Sequence, residues 1–338
     1  MADLTEPWRL GPLTVPNRVL LAPLAGIGNW FVRLQAKRYG AGLAVSEMVS
    51  SHAIHYGNER TCTEMLRIHP HERTAGAGGP VSIQLFGQDP AVMRSAAAHV
   101  AAAGADAIDL NMGCPVPKVC RTGAGAALLG DPRLAVEVAR AAREGSGLPV
   151  TVKLRSGRRP GETDGFELAH RLVGEAGVAA IAFHPRSAAV HHKGHPDYAL
   201  AARLVASLDA PVILTGGLSD APATLAAFAQ TGAAALMLAR GALGNPWLFE
   251  RLLGARATEP TRPEVLDELQ WVMDRAVEHL GAPRATRYLR KFYPWYLARL
   301  DLERGRLTAL QESLQSAPTL EQARALLHAA AASQAVAA

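Results

Sequence analysis

Eight short apolar runs alternate with segments of helical periodicity along the first 240 residues or so of the chain. Apolar positions fill most of each run, which is typical of strands buried on both faces of a parallel sheet. The predicted strands cover residues 19–23, 43–47, 81–86, 107–111, 150–155, 180–184, 212–215 and 235–238. The predicted helices cover residues 30–39, 91–103, 134–144, 166–176, 198–207 and 221–230, with Asp164, Asp197 and Ser219 as candidate N-caps.

This succession of strands and helices favours a closed (β/α)8 TIM barrel over an open parallel sheet. An open, doubly wound sheet normally carries a Gly-x-Gly-x-x-Gly turn after its first strand. At this place the chain has Leu24-Ala25-Gly26-Ile27-Gly28, which lacks the rest of that pattern. The sequence therefore predicts an α/β protein built on a barrel.

The pattern changes after residue 253. Residues 254–263 are rich in turn-forming and polar side chains, and helical segments follow at 264–280, 284–300 and 320–332. No strand pattern separates these segments, which is typical of a small all-helical domain. We therefore predict a barrel domain over residues 1–253, a linker over 254–263 and a helical domain over 264–338.

Composition and charge narrow the class of protein. The chain has 338 residues, 49% of them hydrophobic and 19% charged, which is enough apolar material for a globular core. A net charge of +5 and a pI near 9.3 give a mild preference for anionic partners such as nucleic acid. The three cysteines are too few and too unevenly spaced for a disulfide framework. The first residues lack the apolar core of a signal peptide, and no apolar run approaches the ~18 residues of a membrane span, so we expect a cytoplasmic location.

The stretch Asp109-Leu110-Asn111-Met112-Gly113-Cys114-Pro115 is the most informative part of the chain. It places a cysteine just after the fourth predicted strand, at the end of a barrel where catalytic residues form the active site. A thiol at this position can transfer a proton or attack a carbon atom. The alternative interpretation is a small residue in a tight turn.

A lysine inside a buried strand is the second candidate. Lys153 lies between the apolar Val152 and Leu154, so its side chain points in the direction opposite to theirs. Burial of an ammonium group is costly, and an anion or cofactor at the barrel mouth would offset that cost. A lysine that reaches solvent at the strand end is the alternative. Other polar residues near strand ends are Glu47, Gln84, Arg155, His184 and Arg186.

Glycines after the seventh and eighth predicted strands suggest a phosphate site. In barrels of this kind the corresponding loops bind phosphate through backbone N–H groups. Thr215-Gly216-Gly217-Leu218 and Ala239-Arg240-Gly241-Ala242 both suit this role, although either could be only a tight turn. The nearby His191, His192 and His195 have no carboxylate or cysteine at ligand spacing, so we expect no metal and interpret them as a loop that faces solvent or substrate.

The helical segment after residue 280 has one basic face. Arg284, Arg287 and Lys291 recur at helical spacing, and no acidic residue lies between Glu278 and Asp301. Interleaved cations and aromatic side chains suit contacts to a nucleic-acid backbone and its bases. A solvated basic face with core aromatics is the alternative.

The ordered set of motifs resembles the tRNA-dihydrouridine synthases, flavin-dependent enzymes that reduce specific uridines in RNA. The similarity runs from about residue 10 to about residue 327, and the tail stretch Arg290-Lys291-Phe292 followed by Trp295-Tyr296 looks like the family's RNA-binding helical domain. The chain departs from the family's pattern at Leu24, where methionine is usual, and at Thr215-Gly216-Gly217, where Asn-Gly-Asp is frequent. The matching motifs are Ala22-Pro23-Leu24-Ala25-Gly26, Val45-Ser46-Glu47-Met48, Gln84-Leu85-Phe86-Gly87, Asn111-Met112-Gly113-Cys114-Pro115, Gly123-Ala124-Gly125-Ala126-Ala127-Leu128-Leu129, Val152-Lys153-Leu154-Arg155, His184-Pro185-Arg186 and the two glycine loops.

The resemblance implies FMN at the barrel mouth, with NADPH as its reductant. The residues expected against the flavin ring are Pro23, Leu24 and Ala25, with Gln84 and Lys153 at its polar edge. The residues expected at the phosphate end are His184, Gly216, Gly217 and Arg240, with Thr215 and Ala239 in the same two loops.

The resemblance also implies how the reaction proceeds. The flavin would transfer a hydride to C6 of a flipped-out uracil while Cys114 protonates C5. The thiol has to be protonated for this role, which a partly apolar site with no adjacent cation would favour. Asn111 would help to place the uracil, and Arg186 would contact the uracil or the phosphate.

The expected partner is tRNA, with no membrane and no obligate protein partner. Lys118 and Arg121 would lie on a loop that faces the RNA. In the helical domain, the expected RNA contacts are Arg284, Arg287, Arg290 and Lys291.

Three alternatives remain open from the sequence. A ribosomal RNA could be the target instead of tRNA. The protein could be an FMN barrel oxidoreductase of a small molecule, which would not need the basic tail. It could also be an RNA-binding protein that has lost catalysis, although the set of Cys114, Lys153 and His184 argues against this.

Overall fold

The structure, a computed structural model, describes residues 3–76 and 78–332. The chain divides into two compact units, residues 1–241 and 242–338. This division falls earlier than the boundary expected at residue 253. The reason is that a short helix, Trp247–Leu252, belongs to the second unit.

The first unit is a closed barrel of eight parallel strands, as predicted. Strands β1 (Trp8–Leu10) and β2 (Leu13–Val15) form an antiparallel hairpin that precedes it. The barrel strands are β3 (Val19–Leu21), β4 (Leu43–Ser50), β5 (Val81–Phe86), β6 (Ala107–Met112), β7 (Val150–Arg155), β8 (Ala180–His184), β9 (Val212–Thr215) and β10 (Ala235–Leu238). Neighbouring strands pair in sequence order, and β10 closes the ring against β3. The prediction of the fold class and of all eight barrel strands is therefore confirmed.

All six helices predicted for this unit are present. Of the N-caps, Asp197 accepts a hydrogen bond from Leu200 N as predicted. The other two N-cap predictions are wrong by one residue, because Thr163 precedes helix α6 and Asp220 caps α8. The helices are α1 (Trp30–Arg38), α2 (Ser51–His55), α3 (Pro90–Ala102), α4 (Pro117–Cys120), α5 (Pro132–Ser146), α6 (Asp164–Ala176), α7 (Tyr198–Ser207) and α8 (Ala221–Thr231), with short 3₁₀ or π turns at Thr61–Met65, Pro70–Arg73, Gly125–Gly130 and Arg240–Ala242.

The β1–β2 hairpin, which the sequence reasoning missed, seals the amino-terminal end of the barrel. Its residues Trp8, Leu10 and Val15 join one hydrophobic cluster with first residues of barrel strands, such as Ala180 and Ala235. An apolar seal at this end leaves the carboxyl end as the open mouth, where active sites of such barrels form.

The second unit is helical. Its helices are α9 (Trp247–Leu252), α10 (Arg262–Leu280), α11 (Ala282–Leu289), α12 (Tyr293–Leu297), α13 (Arg304–Ser316) and α14 (Leu320–Ala332). The single helix predicted over 284–300 is wrong, because Pro294 has no N–H to donate and its ring clashes with the carbonyl of residue 290 in a continuous helix. The carbonyl of Arg290 instead accepts a hydrogen bond from Gln315 of α13. Helix α13 was not expected from the sequence.

Among the described residues, no helix has both the length and the apolar character needed to cross a membrane.

A buried ion pair fastens the segment around residue 70 to helix α1. Arg33 Nε lies 2.7 Å from Glu72 Oε2, and both side chains are fully buried. A second bond joins Arg33 to Glu72 Oε1 at 3.1 Å, and His69 N donates to the same oxygen at 2.7 Å. Removal of one partner from such a pair leaves an uncompensated buried charge.

We therefore expect Glu72→Ala to lower the free energy of unfolding by about 3–5 kcal/mol. The matched control is Glu175→Ala, which breaks the exposed pair with Arg171 and should lower the free energy of unfolding far less, because water screens both charges. Urea denaturation followed by circular dichroism measures both values. Similar losses for the two variants would contradict the structural importance of the buried pair.

Candidate active site

Polar side chains fill the barrel interior along β5, β6 and β7, from the middle layer of the barrel up to its mouth. Gln84, Asp109 and Thr151 are in register on the three strands, and all three are buried. One step further along, Asn111 is in register with Lys153. Each strand therefore contributes to one polar patch just inside the barrel mouth.

A chain of hydrogen bonds connects this patch. Thr151 Oγ1 donates to Asp109 Oδ1 at 2.5 Å, and Gln84 Nε2 donates to Asp109 Oδ2 at 2.6 Å. Gln84 Oε1 accepts from Asn111 Nδ2 at 3.1 Å. Asn111 Oδ1 then accepts from the backbone N–H of Cys114 at 2.9 Å. The interior of the barrel is thus linked to the turn that carries the predicted catalytic thiol.

The turn that carries Cys114 is held at both of its backbone polar groups. Asn111 Oδ1 binds the amide N–H, and the carbonyl of Cys114 accepts from Ala126 N at 3.0 Å and from Cys120 Sγ at 3.3 Å. The side chain itself is partly buried. The thiol is therefore fixed after β6 and has limited contact with water.

Burial raises the pKa of the Cys114 thiol above its ordinary value, because a thiolate is poorly solvated there. The positive charges of Arg155 and Lys153 lower this pKa, so the site is not free of cations near the thiol. Burial is the larger effect, and the thiol is protonated at neutral pH, as a proton donor requires.

Lys153 is mostly buried on β7. Burial and the neighbouring Arg155 charge lower its pKa to about 8, with Asp109 opposing the shift. No residue that the structure describes lies within hydrogen-bonding distance of its ammonium group. The amine is therefore available to a ligand in the barrel mouth.

Arg155, which the sequence analysis noted only as a strand-end residue, is a buried clamp. Its guanidinium donates to the carbonyls of Gly113 at 3.1 Å, Ser187 at 3.0 Å and His191 at 2.5 Å. His191 adopts a left-handed backbone conformation with φ of 53°, which is uncommon for a residue other than glycine. Arg155 thus connects the thiol turn to the loop after β8.

Positive charges gather beside this loop without a matching carboxylate. Arg186 Nη1 lies 3.3 Å from the buried His184 Nε2, and Arg186 Nη2 donates to Gly194 O at 2.7 Å. Desolvation and the charges of Arg240 and Arg155 lower the pKa of His192 to about 4. Within the described parts of the chain, none of these arginines has a carboxylate partner, and Arg186 Nε is buried without one.

We call the region lined by His184, Arg186 and Arg240 the cationic cradle. Two glycines complete its wall. Gly216 and Gly217 both have positive φ, at 98° and 79°. A Cβ atom on Gly216 would lie 2.2 Å from the ring of His184, and one on Gly217 would lie 2.6 Å from the Tyr198 hydroxyl. Glycine is required at both positions, because any side chain would enter the cradle wall.

The remaining predicted cofactor residues follow neighbouring strands. Thr215 is the buried last residue of β9, and Ala239, directly after β10, packs against the barrel core. Pro23, Leu24 and Ala25 follow β3, and among them Leu24 is buried. The structure therefore places all of these residues at the carboxyl end of the barrel.

The predicted RNA contacts lie in both units. Lys118 and Arg121 are exposed on and just after α4, within seven residues of Cys114. In the second unit, Arg284 and Arg287 of α11 are exposed, and so is Lys291, whose ammonium lies 5.0 Å from the centroid of the Tyr288 ring. Arg290 differs, since it is partly buried with its Nε enclosed.

In the part of the chain that the structure describes, no group of three or more His, Cys, Asp or Glu side chains could hold a metal ion. His191, His192 and His195 are exposed in the loop after β8, and the His192 ring stacks on His184 at 6.2 Å between centroids.

Fold and site together define a (β/α)8-barrel enzyme with a protonated thiol, a buried lysine and a cationic cradle at its mouth. The sequence model of the family described as "Dihydrouridine synthase (Dus)" matches residues 20–335 of the chain. The chain belongs to the dihydrouridine synthase family.

Curated relatives agree with this assignment. The chain is 35% identical over 295 residues to tRNA-dihydrouridine synthase B of Xanthomonas axonopodis pv. citri (strain 306), which covers 85% of this chain and 86% of the relative. It is 34% identical over 297 residues to the probable tRNA-dihydrouridine synthase 1 of Synechocystis sp., which covers 86% of this chain and 81% of the relative.

Among solved structures, the barrel is similar to morphinone reductase, with a TM-score of 0.53, 20% identity and coverage of 78% of this chain and 92% of the other. It is also similar to histamine dehydrogenase from Rhizobium sp. 4-9, with a TM-score of 0.58, 15% identity and coverage of 75% and 48%. These likenesses concern the fold.

The raised pKa of Cys114 has a direct chemical consequence. Alkylation requires the thiolate, so iodoacetamide should modify Cys114 of the folded protein several-fold more slowly at pH 8 than the same residue in urea. The rate in the folded protein should still be rising above pH 9. Peptide mapping by mass spectrometry resolves this cysteine from Cys62 and Cys120. A folded-state rate at pH 8 equal to the rate in urea would contradict the assignment.

Proposed function

We propose that the protein reduces uridines of tRNA to 5,6-dihydrouridine, with FMN as cofactor and NADPH as its reductant. The observation that carries this proposal is the partly buried, protonated Cys114 thiol at the same barrel mouth as Lys153 and a cationic, glycine-walled cradle. Membership of the dihydrouridine synthase family and the names of the curated relatives support it.

The residues at the mouth fit FMN. The cradle has an excess of positive charge and, among the described residues, an Arg186 Nε that is buried without a hydrogen-bond partner, both of which suit a phosphate group. His184, Gly216, Gly217 and Arg240 would hold that phosphate. Lys153 would face the polar edge of the flavin ring, where a positive charge favours the reduced, anionic form.

Gln84 and the Pro23–Ala25 segment would complete the flavin site. Gln84 of β5 lies beside Asp109 inside the barrel, and Pro23, Leu24 and Ala25 follow strand β3, which β4 separates from β5. The amide would face the polar edge of the ring, and the small and apolar segment would lie against its flat surface.

When it is bound, FMN supplies the hydride for C6 of the uracil. Cys114 holds the proton that C5 needs, and burial keeps this proton on sulfur at neutral pH. Asn111, adjacent to the thiol turn and only partly buried, would bind the polar edge of the uracil. The proton donor and the base are thereby positioned before the reaction, which lowers its entropic cost.

A uracil reaches this site only after it leaves the base stack of the RNA, at a cost of a few kcal/mol. Lys118 and Arg121 beside the mouth would bind phosphates near the flipped base. The residues proposed for phosphate contacts elsewhere on the RNA are Arg284, Arg287, Arg290 and Lys291 of the second unit. We assign residues 264–338, of which the structure describes 264–332, to RNA binding on this basis. A tRNA substrate also suits a cytoplasmic location.

The first test is Cys114→Ala. We expect the variant to keep its yellow flavin colour and to lose nearly all dihydrouridine formation. The uracil would still have a hydride donor but would lack the donor of the proton for C5. Mass spectrometry of tRNA incubated with purified protein and NADPH measures the product, and absorbance near the flavin bands measures the cofactor. Ribosomal RNA in a parallel reaction distinguishes the two kinds of substrate.

Full turnover by Cys114→Ala would refute its role as proton donor. Product in ribosomal RNA alone would replace tRNA as the substrate. Wild-type protein without flavin would refute the cofactor assignment.

The second test is Gly216→Ala. A Cβ atom at this position meets the His184 ring at 2.2 Å, so we expect the affinity for FMN to fall at least about tenfold. The matched control is Gly104→Ala, which introduces the same strain at a positive φ of 90° but has nothing within 4 Å. Fluorescence titration of the flavin-free proteins with FMN measures both. Equal FMN affinities in the two variants would argue against a phosphate cradle at this loop.

A further inference from the structure

A fully buried carboxyl group begins the hydrogen-bond chain that ends at the thiol turn. Asp109 is 0% exposed on β6, and Gln84 Nε2 and Thr151 Oγ1 donate to its two oxygens at 2.6 and 2.5 Å. Burial of a carboxylate is costly even with two such bonds. Its neighbours Ile108 and Leu110 are apolar, so the acid is not part of a generally polar strand.

The charge of Asp109 sets the direction of two amide groups. An ionised carboxylate can only accept, so Gln84 has to turn its NH2 group toward Asp109 and its Oε1 toward Asn111. Asn111 then donates to Gln84 Oε1 at 3.1 Å and presents its own Oδ1 to the thiol turn. That oxygen accepts from Gly113 N at 3.3 Å and from Cys114 N at 2.9 Å.

Protonation of the carboxyl group removes this constraint. A neutral acid can donate to Gln84 Oε1, and the turned Gln84 then places its NH2 group against the NH2 group of Asn111. Asn111 relieves that clash of donors only if it turns as well. Its NH2 group would then face the N–H of Cys114, and the bond that holds the thiol turn would be lost.

We propose that Asp109 is a positioning residue, whose negative charge acts through Gln84 and Asn111 to hold the Cys114 turn in the geometry for proton transfer. This role rests on the proposed function, in which Cys114 delivers a proton to the uracil. Asp109 itself makes its contacts one layer below the thiol, inside the barrel.

The groups that face Asp109 set the pH range of the effect. Strand β5 presents the neutral Gln84, and strand β7 presents the neutral Thr151 and the cationic Lys153. Burial raises the pKa of Asp109 to about 6, while the bonds from Thr151 and Gln84 and the charge of Lys153 oppose the rise. The carboxyl group is therefore ionised at neutral pH and becomes protonated below about pH 6.

The test uses the holoenzyme with reduced flavin and a tRNA substrate, in single turnover between pH 5 and 8. The wild-type rate should fall on the acid side with a midpoint near the pKa of Asp109. Asp109→Asn should lose this acid limb. Its rate at neutral pH should fall several-fold, because an amide at position 109 satisfies either orientation of Gln84.

In Thr151→Val the acid limb should persist, because this variant keeps the carboxyl group of Asp109. The variant removes one hydrogen bond that favours the ionised form of that group. Its acid limb should move to higher pH. The matched control is Ser82→Ala, which removes a buried hydroxyl of β5 that has no hydrogen-bond partner among the described residues. Its acid limb should stay where it is in the wild type. An acid limb that persists in Asp109→Asn, or that stays unmoved in Thr151→Val, would overturn the proposal.

Hydrogen exchange separates this proposal from the proposed function. The Cys114 amide should lose at least about tenfold of its protection below pH 6 in the wild type, and its protection in Asp109→Asn should not vary with pH in this range. This measurement needs no turnover. A wild type that reduces no uridine would refute the proposed function, whereas pH-independent protection in the wild type would refute the role of Asp109.

Discussion

A closed barrel gives the side chains deep in its interior little access to water, so an unpaired polar or charged group there is costly. Near the amino-terminal end this cost does not arise, because the cluster around Trp8 and Ala180 is apolar. In the middle layer of the barrel, Asp109 accepts hydrogen bonds from both Gln84 and Thr151. The lack of water that favours these bonds also raises the pKa of Cys114 and keeps its proton on sulfur. It lowers the pKa of Lys153, so the ammonium group releases its proton more readily.

Charge is distributed unevenly around the mouth. The single buried acid of the polar patch is already bonded on both oxygens, whereas Arg155, Arg186 and Arg240 meet only backbone carbonyls, histidine or solvent in the described structure. An assembly of this kind is complete only with an anion present. The need for an anionic cofactor is therefore built into the protein side of the site.

The sequence predicts the barrel well because each strand is a compact apolar run, and it predicts Cys114 and Lys153 because strand ends form the mouth. The β1–β2 hairpin is missed because strands of three residues carry too little pattern. Asp109 and Arg155 are missed as functional residues, although a charge inside an apolar strand, the argument applied to Lys153, identifies them too. The break before Pro294 follows from one residue, which the helical spacing of its neighbours conceals.

Arg155 connects the turn that carries Cys114 to the loop after β8, which carries His191 and His192. Its three bonds join the carbonyl of Gly113 to those of Ser187 and His191, so neither segment can shift without breaking contacts to a buried cation. His192, next in the chain, stacks on His184 in the cradle wall. A ligand that displaced the loop after β8 would therefore also disturb the turn that carries Cys114, because both are bonded to the same buried side chain.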